Sequence, residues 1–267
     1  MSRDTAEIEA SSAPLIEHLI ELRTRLIWAL GGFFIAFLIC FFFARELFNL
    51  LVIPYQTAVH WAGINDDKVE LIYTAPQEFF FTQVKIAAFG GFFLAFPIIA
   101  IQIYKFVAPG LYKKERAAFV PFLVATPVLF LMGASMAYYI AVPMALHFLL
   151  GFDGMVGGVH REALPAIGNY LSFIMQFLFG FGLAFLLPVL LMLLERAGIV
   201  TRKQLVGARR YAIVAAFAIA AVLTPPDIGS QLLLAIPLTI LYEAALIGIW
   251  FTERSRAKSA GTEIVES

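Results

Sequence analysis

From Ala117 to Leu146, and again from Ile167 to Leu194, the chain runs without a single charged residue. A bilayer hydrocarbon core of about 30 Å takes roughly 20 apolar residues as a helix, so each run is long enough to span with tilt. Leu26–Phe43 and Ile86–Tyr104 are two more such runs, and Trp28 at the start of the first suits a membrane interface. Two weaker candidates follow. Tyr211–Leu223 holds 13 residues and covers roughly 20 Å as a helix. Ile228–Phe251 is interrupted by Glu243, which leaves 15 apolar residues before the charge. The chain is 61% hydrophobic and 14% charged, against about 25% charged in soluble domains. The reading is an all-α polytopic membrane protein. Its approximate spans are 26–43, 86–104, 117–146, 167–194, 211–223 and 228–251, the last two short, in one membrane domain over 1–250.

A run of about 10–14 residues also suits a re-entrant or buried segment, so the charges have to decide. The net charge is zero, which gives no argument for nucleic acid, but the charges are sorted by position. Arg3, Arg23 and Arg25 precede the first span. Lys105, Lys113, Lys114 and Arg116 lie between the second and third, and Arg196, Arg202, Lys203, Arg209 and Arg210 between the fourth and fifth. Arg254, Arg256 and Lys258 follow the sixth. The opposite side holds only Arg45, Lys68 and Arg161, with Lys85 at the edge of the second run. By the positive-inside rule both termini are cytoplasmic. Removing the last two spans as a pair would leave the same orientation, so the bias supports the pair without fixing each crossing. The loop 44–78 is expected to cap the outer side, the Gly-rich stretch 151–165 to form a second outer loop, and 252–267 to be a disordered cytoplasmic tail.

Just before the first span, Leu15, Leu19, Leu22 and Leu26 recur at helical period while Glu17, Glu21 and Arg25 line another face. An amphipathic helix therefore offers carboxylates and guanidiniums beside hydrocarbon, where a peptide or a lipid headgroup can dock. Pro97, Pro121, Pro127, Pro143, Pro188 and Pro237 fall within or at the ends of spans, where each removes a backbone donor and bends its helix. The lone Cys40 excludes an internal disulfide and any cysteine-based metal cluster, and reads as a small buried or lipid-facing side chain.

Three segments together resemble the TatC family, the multispanning subunit of the twin-arginine protein translocase. They are His18-Leu19-Ile20-Glu21-Leu22-Arg23, then Phe106-Val107-Ala108-Pro109-Gly110-Leu111-Tyr112-Lys113-Lys114-Glu115-Arg116, and Leu223-Thr224-Pro225-Pro226-Asp227. They stand in the family's order, and the likeness covers about residues 14 to 250. The resemblance implies a curved, glove-like bundle of six helices with the last two short. It implies a receptor in the bacterial inner membrane that binds twin-arginine signal peptides on its cytoplasmic face. It further implies assembly with single-span Tat subunits of the TatA and TatB type, as a homo-oligomer within a larger complex, and export of folded proteins on the proton-motive force. No cofactor, metal, catalytic group or nucleic acid is implied.

Glu21 and Glu115 fall on positions the family uses for arginine recognition. Carboxylates are natural bidentate partners of a planar guanidinium, and both residues border an apolar span. Read alone, Glu21 also suits a local i,i+4 pair with Arg25. The resemblance places Phe106, Arg23 and His18 at the same signal-peptide site. There the Phe106 face can stack on an arginine, and Arg23 either orients the glutamates or meets lipid phosphate. Thr224 and Gln231 match a polar cluster the family uses against its single-span partners. Glu243, expensive in lipid, either faces such a partner, holds a proton, or lies near the cytoplasmic surface. Pro109, Pro225, Pro226 and Asp227 read as turn residues, Asp227 as an N-cap of the sixth helix. One departure stands out: many family members carry glutamate or glutamine just before the fourth-span proline, whereas this chain has Leu186-Leu187-Pro188.

The chain carries none of the His-Glu-x-x-His, Gly-x-Ser-x-Gly or Walker motifs, and its four histidines are scattered. The alternative function is a proton-coupled small-solute transporter with Glu243 and Lys85 in its pathway, which requires facing polar groups at mid-membrane. The uncharged third and fourth spans argue against it.

Overall fold

Where the structure describes them, the four long uncharged runs are helical over most of their length, and proline sets several of the places where those helices bend or break. The structure, a computed structural model, describes residues 3–63, 71–107, 120–151, 154–156, 159–161, 165–224 and 228–263. They fall into two compact units, the first of residues 1–48 and 83–127, the second of 49–82 and 128–267.

The first unit is built on helix α1 (Arg3–Phe42), the start of α2 (Ala44–Trp61) and most of α3 (Glu78–Val107). α1 and α3 run antiparallel, and glycine lets them approach. A Cβ on Gly91 would lie 2.8 Å from the Phe37 backbone nitrogen, and one on Gly32 3.1 Å from Ile98. Small residues at a crossing are how apolar helices gain contact where no hydrophobic drive separates them from lipid. Cys40 is buried, with its sulfur 3.2 Å from where a Gly90 Cβ would stand.

The second unit starts with the rest of α2, inside the loop expected to cap the outer side. Its buried residues Leu51, Tyr55, Ala58 and Val59 share one helical face. Pro54 removes the donor that would serve the Leu50 carbonyl four residues back. The Tyr138 hydroxyl donates to that carbonyl at 2.6 Å, and Tyr170 donates to Leu51 O, also at 2.6 Å. Tyr138 lies in a π turn (Ala137–Ala141) between α4 (Val120–Met136) and α5 (Val142–Leu150). Pro143 follows directly; its missing N–H favours such a rearrangement of the ladder. The stretch expected as a second loop carries two three-residue antiparallel strands, β1 (Gly154–Val156) and β2 (Val159–Arg161).

Helix α6 (Ile167–Ala184) ends at Phe185 and Leu186, and α7 (Leu187–Arg196) restarts with Pro188 in its first turn. α4 and α6 meet through glycine on both sides. A Cβ on Gly133 would stand 2.5 Å from the Phe181 carbonyl oxygen, and one on Gly182 2.6 Å from the Phe130 ring. Glu78, the first residue of α3, ties the same region together. Its carboxylate accepts from the Thr74 N–H at 2.6 Å, the Thr74 hydroxyl at 2.8 Å and the Gly168 N–H at 2.8 Å. A short α8 (Arg202–Gly207) is opened by a Thr201/Gln204 capping box. Then come α9 (Arg209–Leu223) and α10 (Ile228–Glu263).

Among the described residues five segments are long and apolar enough to cross a membrane: His18–Phe42, Glu78–Phe106, Pro121–Leu150, Ile167–Arg196 and Ile228–Arg254. α9, with 15 residues, is short as expected. α10 corrects the expectation for the final helix, because Glu243 does not interrupt it: the apolar segment runs for 27 residues and the backbone stays helical to Glu263. Glutamate is a good helix former, and the Glu243 charge is met by Arg209 in an ion pair.

Candidate functional site

The first unit gathers charged and aromatic groups at one end of the α1–α3 pair. The His18 and Phe106 rings stack at 4.3 Å between centroids and 23° between planes, which joins the first sequence motif to the start of the second. One turn further along α1, Glu21 Oε1 accepts from an Arg25 terminal nitrogen at 3.1 Å. Both side chains are half-buried, at 29% and 31% exposure, so this is a membrane-edge pair rather than a fully solvated one. The i,i+4 spacing sets it, as the helix geometry requires. Arg23 lies on the exposed side of the same turn. Glu115 and Pro109 lie outside the described residues.

This pair is loosely satisfied. Arg25 engages the carboxylate through one terminal nitrogen, and its buried Nε finds no acceptor. On α3 the buried Oε1 of Gln102 finds no donor. Buried polar atoms are nearly always paired, and these two are of complementary type, a donor on α1 and an acceptor on α3. Sequence reasoning missed Gln102. Its only signal is its place four residues before Phe106, on the same helical face.

In the second unit two polar contacts join elements of the α7–α10 region, where the buried Nε of Arg202 also finds no acceptor. Glu243 Oε2 accepts from Arg209 at 2.8 Å, joining α10 to α9. Beside it the Tyr242 hydroxyl donates to Leu205 O at 2.7 Å. Tyr242, Leu246, Ile249 and Leu205 form a buried core with Leu187, Leu191, Met192, Val200 and Ala212 packed against it. Thr224 is buried, and its hydroxyl donates to Ala220 O at 2.8 Å within its own helix. Gln231 reaches the Phe217 carbonyl across the hairpin at a long 3.5 Å, which leaves its amide largely available. Leu186 sits half-buried at the α6–α7 break. Pro225, Pro226 and Asp227 lie outside the described residues. Arg209 was not singled out from the sequence, because its partner stands 34 residues away.

Fold and site define a class first: a polytopic α-helical membrane protein with ionic and aromatic groups gathered at one end of its first apolar helix. The family follows from comparison with known proteins. The family model for the Sec-independent protein translocase protein (TatC) matches residues 17–237. The TatC of Magnetococcus marinus is 44% identical over 251 residues, 94% of this chain and 89% of that one. The TatC of Aquifex aeolicus is 40% identical over 235 residues, 87% and 93% of the two chains. A crystal structure of the twin-arginine translocase receptor TatC in DDM superposes with a TM-score of 0.72 at 40% identity, covering 86% of this chain and 98% of that chain. The chain belongs to the TatC family.

Proposed function

We propose that this protein is the core receptor subunit of a twin-arginine translocation system, set in the bacterial inner membrane with both termini in the cytoplasm. It binds the paired arginines of a signal peptide with Glu21 and Glu115, beside Phe106, His18 and Arg23. It assembles with single-span Tat subunits, which use the proton-motive force with it to export folded proteins. The observation that carries this reading is that the Glu21 carboxylate, at the end of an apolar helix, already holds a guanidinium. A half-buried carboxylate with an aromatic ring a turn away has the chemistry to select arginine over lysine, since only arginine presents a planar fork. Relatives that carry the TatC name, and solved structures described as twin-arginine translocase receptors, support the same role.

For partner subunits, the α9–α10 hairpin offers the available amide of Gln231, and interhelical hydrogen bonds of that kind contribute about 0.6 to 2 kcal/mol. Glu243 would act there through its pair with Arg209, and Thr224 by holding the end of α9. The transporter alternative loses ground on the same observation, because the carboxylate it needs in a pathway is held by Arg209.

The test is photo-crosslinking of a peptide carrying two arginines to protein with a crosslinker at position 21 or 115, against a matched peptide carrying two lysines. Arginine-dependent crosslinks at both positions are expected, weakening as salt rises. Equal crosslinking of the two peptides would defeat the assignment.

A further inference from the structure

The carboxylate proposed to receive a ligand arginine is occupied by an arginine of the chain itself, and an unused acceptor stands across the helix pair. Two contacts fix the register of α1 against α3: His18 stacks on Phe106, and Gly32 packs on Ile98. Between these anchors, seven residues beyond His18 along α1 lies Arg25, and four residues before Phe106 along α3 lies Gln102. Each is the midpoint of its own helix between the two anchors. The two orphans are complementary: Arg25 Nε is a buried donor without an acceptor, and Gln102 Oε1 a buried acceptor without a donor. Meanwhile Arg25 holds Glu21 by one terminal nitrogen alone.

We propose that Arg25 is an internal stand-in for the ligand's arginine, and that Gln102 is the acceptor that takes Arg25 when the ligand displaces it. The inference rests on the reading of Glu21 as an arginine-binding carboxylate. In the empty receptor Arg25 keeps Glu21 from facing the membrane edge as a bare charge. When a signal peptide arrives, its guanidinium takes the carboxylate in the fork geometry that Arg25 does not achieve. Arg25 turns to Gln102, so neither buried donor nor acceptor is left unpaired. No covalent chemistry is involved; one ion pair is exchanged for another, with a hydrogen bond gained. The device sharpens specificity, because a lysine ammonium, lacking the fork, competes poorly with a resident arginine. Gln102 is a positioning residue here: it acts through Arg25 and does not touch the peptide.

The experiment is a binding titration of a fluorescent twin-arginine peptide, with a twin-lysine control, against the full-length protein in nanodiscs. The variants are Glu21→Ala, Arg25→Gln, Gln102→Leu and the Arg25→Gln/Gln102→Leu pair, with Arg25→Lys as a second probe should Arg25→Gln fold poorly. Removing the competitor should tighten twin-arginine binding about two- to fivefold, the range of a half-exposed ion pair. Arg25→Lys should give a smaller gain. Twin-lysine binding should improve by a larger factor, so discrimination between the peptides narrows. Gln102→Leu should weaken binding in the wild-type background and have no effect once Arg25 is gone. Equal weakening by Gln102→Leu in both backgrounds, or loss of binding in Arg25→Gln, overturns the exchange while leaving Glu21 as a ligand-binding residue. Unchanged binding in Glu21→Ala overturns the exchange and the underlying reading together.

Discussion

Two regions of this molecule handle charge beside hydrocarbon differently: Glu21 is held from its own helix, Glu243 from a second one. Around α7 to α10 several polar groups reach close partners across elements, although the buried Nε of Arg202 finds no acceptor there. Arg209 holds Glu243, Tyr242 holds Leu205 O, and Thr201 with Gln204 closes the start of α8. At the α1–α3 end the pairing is incomplete, with one contact between Glu21 and Arg25 and orphaned atoms on Arg25 and Gln102. A fold left to minimise its own energy would close both regions, because an unpaired buried polar atom costs about 1–3 kcal/mol. At the α1–α3 end the unmatched atoms are a donor and an acceptor on neighbouring helices, which is what the proposed exchange uses. The lesson is that a charge near lipid is not in itself a functional signal; what separates the two carboxylates is the partner's place, one turn away on the same helix for Glu21 and on a second helix for Glu243.

Substitutions in the second unit, away from the α1–α3 end, should cost stability and leave peptide binding alone. The largest effect is expected from Gly133→Val, whose Cβ would meet the Phe181 carbonyl at 2.5 Å. Forcing α4 from α6 should cost about 1–3 kcal/mol, seen as a lowered midpoint in thermal unfolding of the detergent-solubilised protein. Tyr170→Phe should come next. It removes a buried donor from Leu51 O and should cost about 0.5–2 kcal/mol by the same measurement. The smallest effect belongs to Arg209→Gln. Its side chain is 49% exposed and that of Glu243 42%, so solvent screening should hold the loss to about 0–1 kcal/mol. A loss well beyond that would mean the pair is more deeply desolvated than its exposure implies.

Much of this was legible in the sequence, and the reasons for the rest are physical. Uncharged runs such as Ala117–Leu146 and Ile167–Leu194 allow little but membrane helix, and Glu21 with Arg25 follows from helical spacing. Leu51, Tyr55, Ala58 and Val59 carry the period of α2, yet Pro54 in their midst and the polar stretch around them disguised a helix as a loop. Glu243 was read as an interruption because a lone carboxylate is expensive in an apolar helix. Its partner Arg209 is remote in sequence, and no local pattern announces such a pair. Gln102 stayed hidden for a similar reason: only the register between α1 and α3 sets it opposite Arg25. The join between His18 and Phe106 likewise became visible only through that register, although each residue was marked by its motif.

The central claim is that the Glu21 carboxylate reads arginine, whereas Glu243, held by Arg209 from a second helix, is structural. The most direct measurement is parallel titration of a twin-arginine peptide into wild type, Glu21→Gln and Glu243→Gln, with the thermal midpoint of each recorded. Glu21→Gln removes the charge with almost no change of shape, and should weaken binding about tenfold or more with the midpoint little changed, as expected for losing one charge-assisted pair. Glu243→Gln should bind as wild type does, with at most a small drop in midpoint. Binding lost equally in both variants, or lost in Glu243→Gln and kept in Glu21→Gln, would contradict the account.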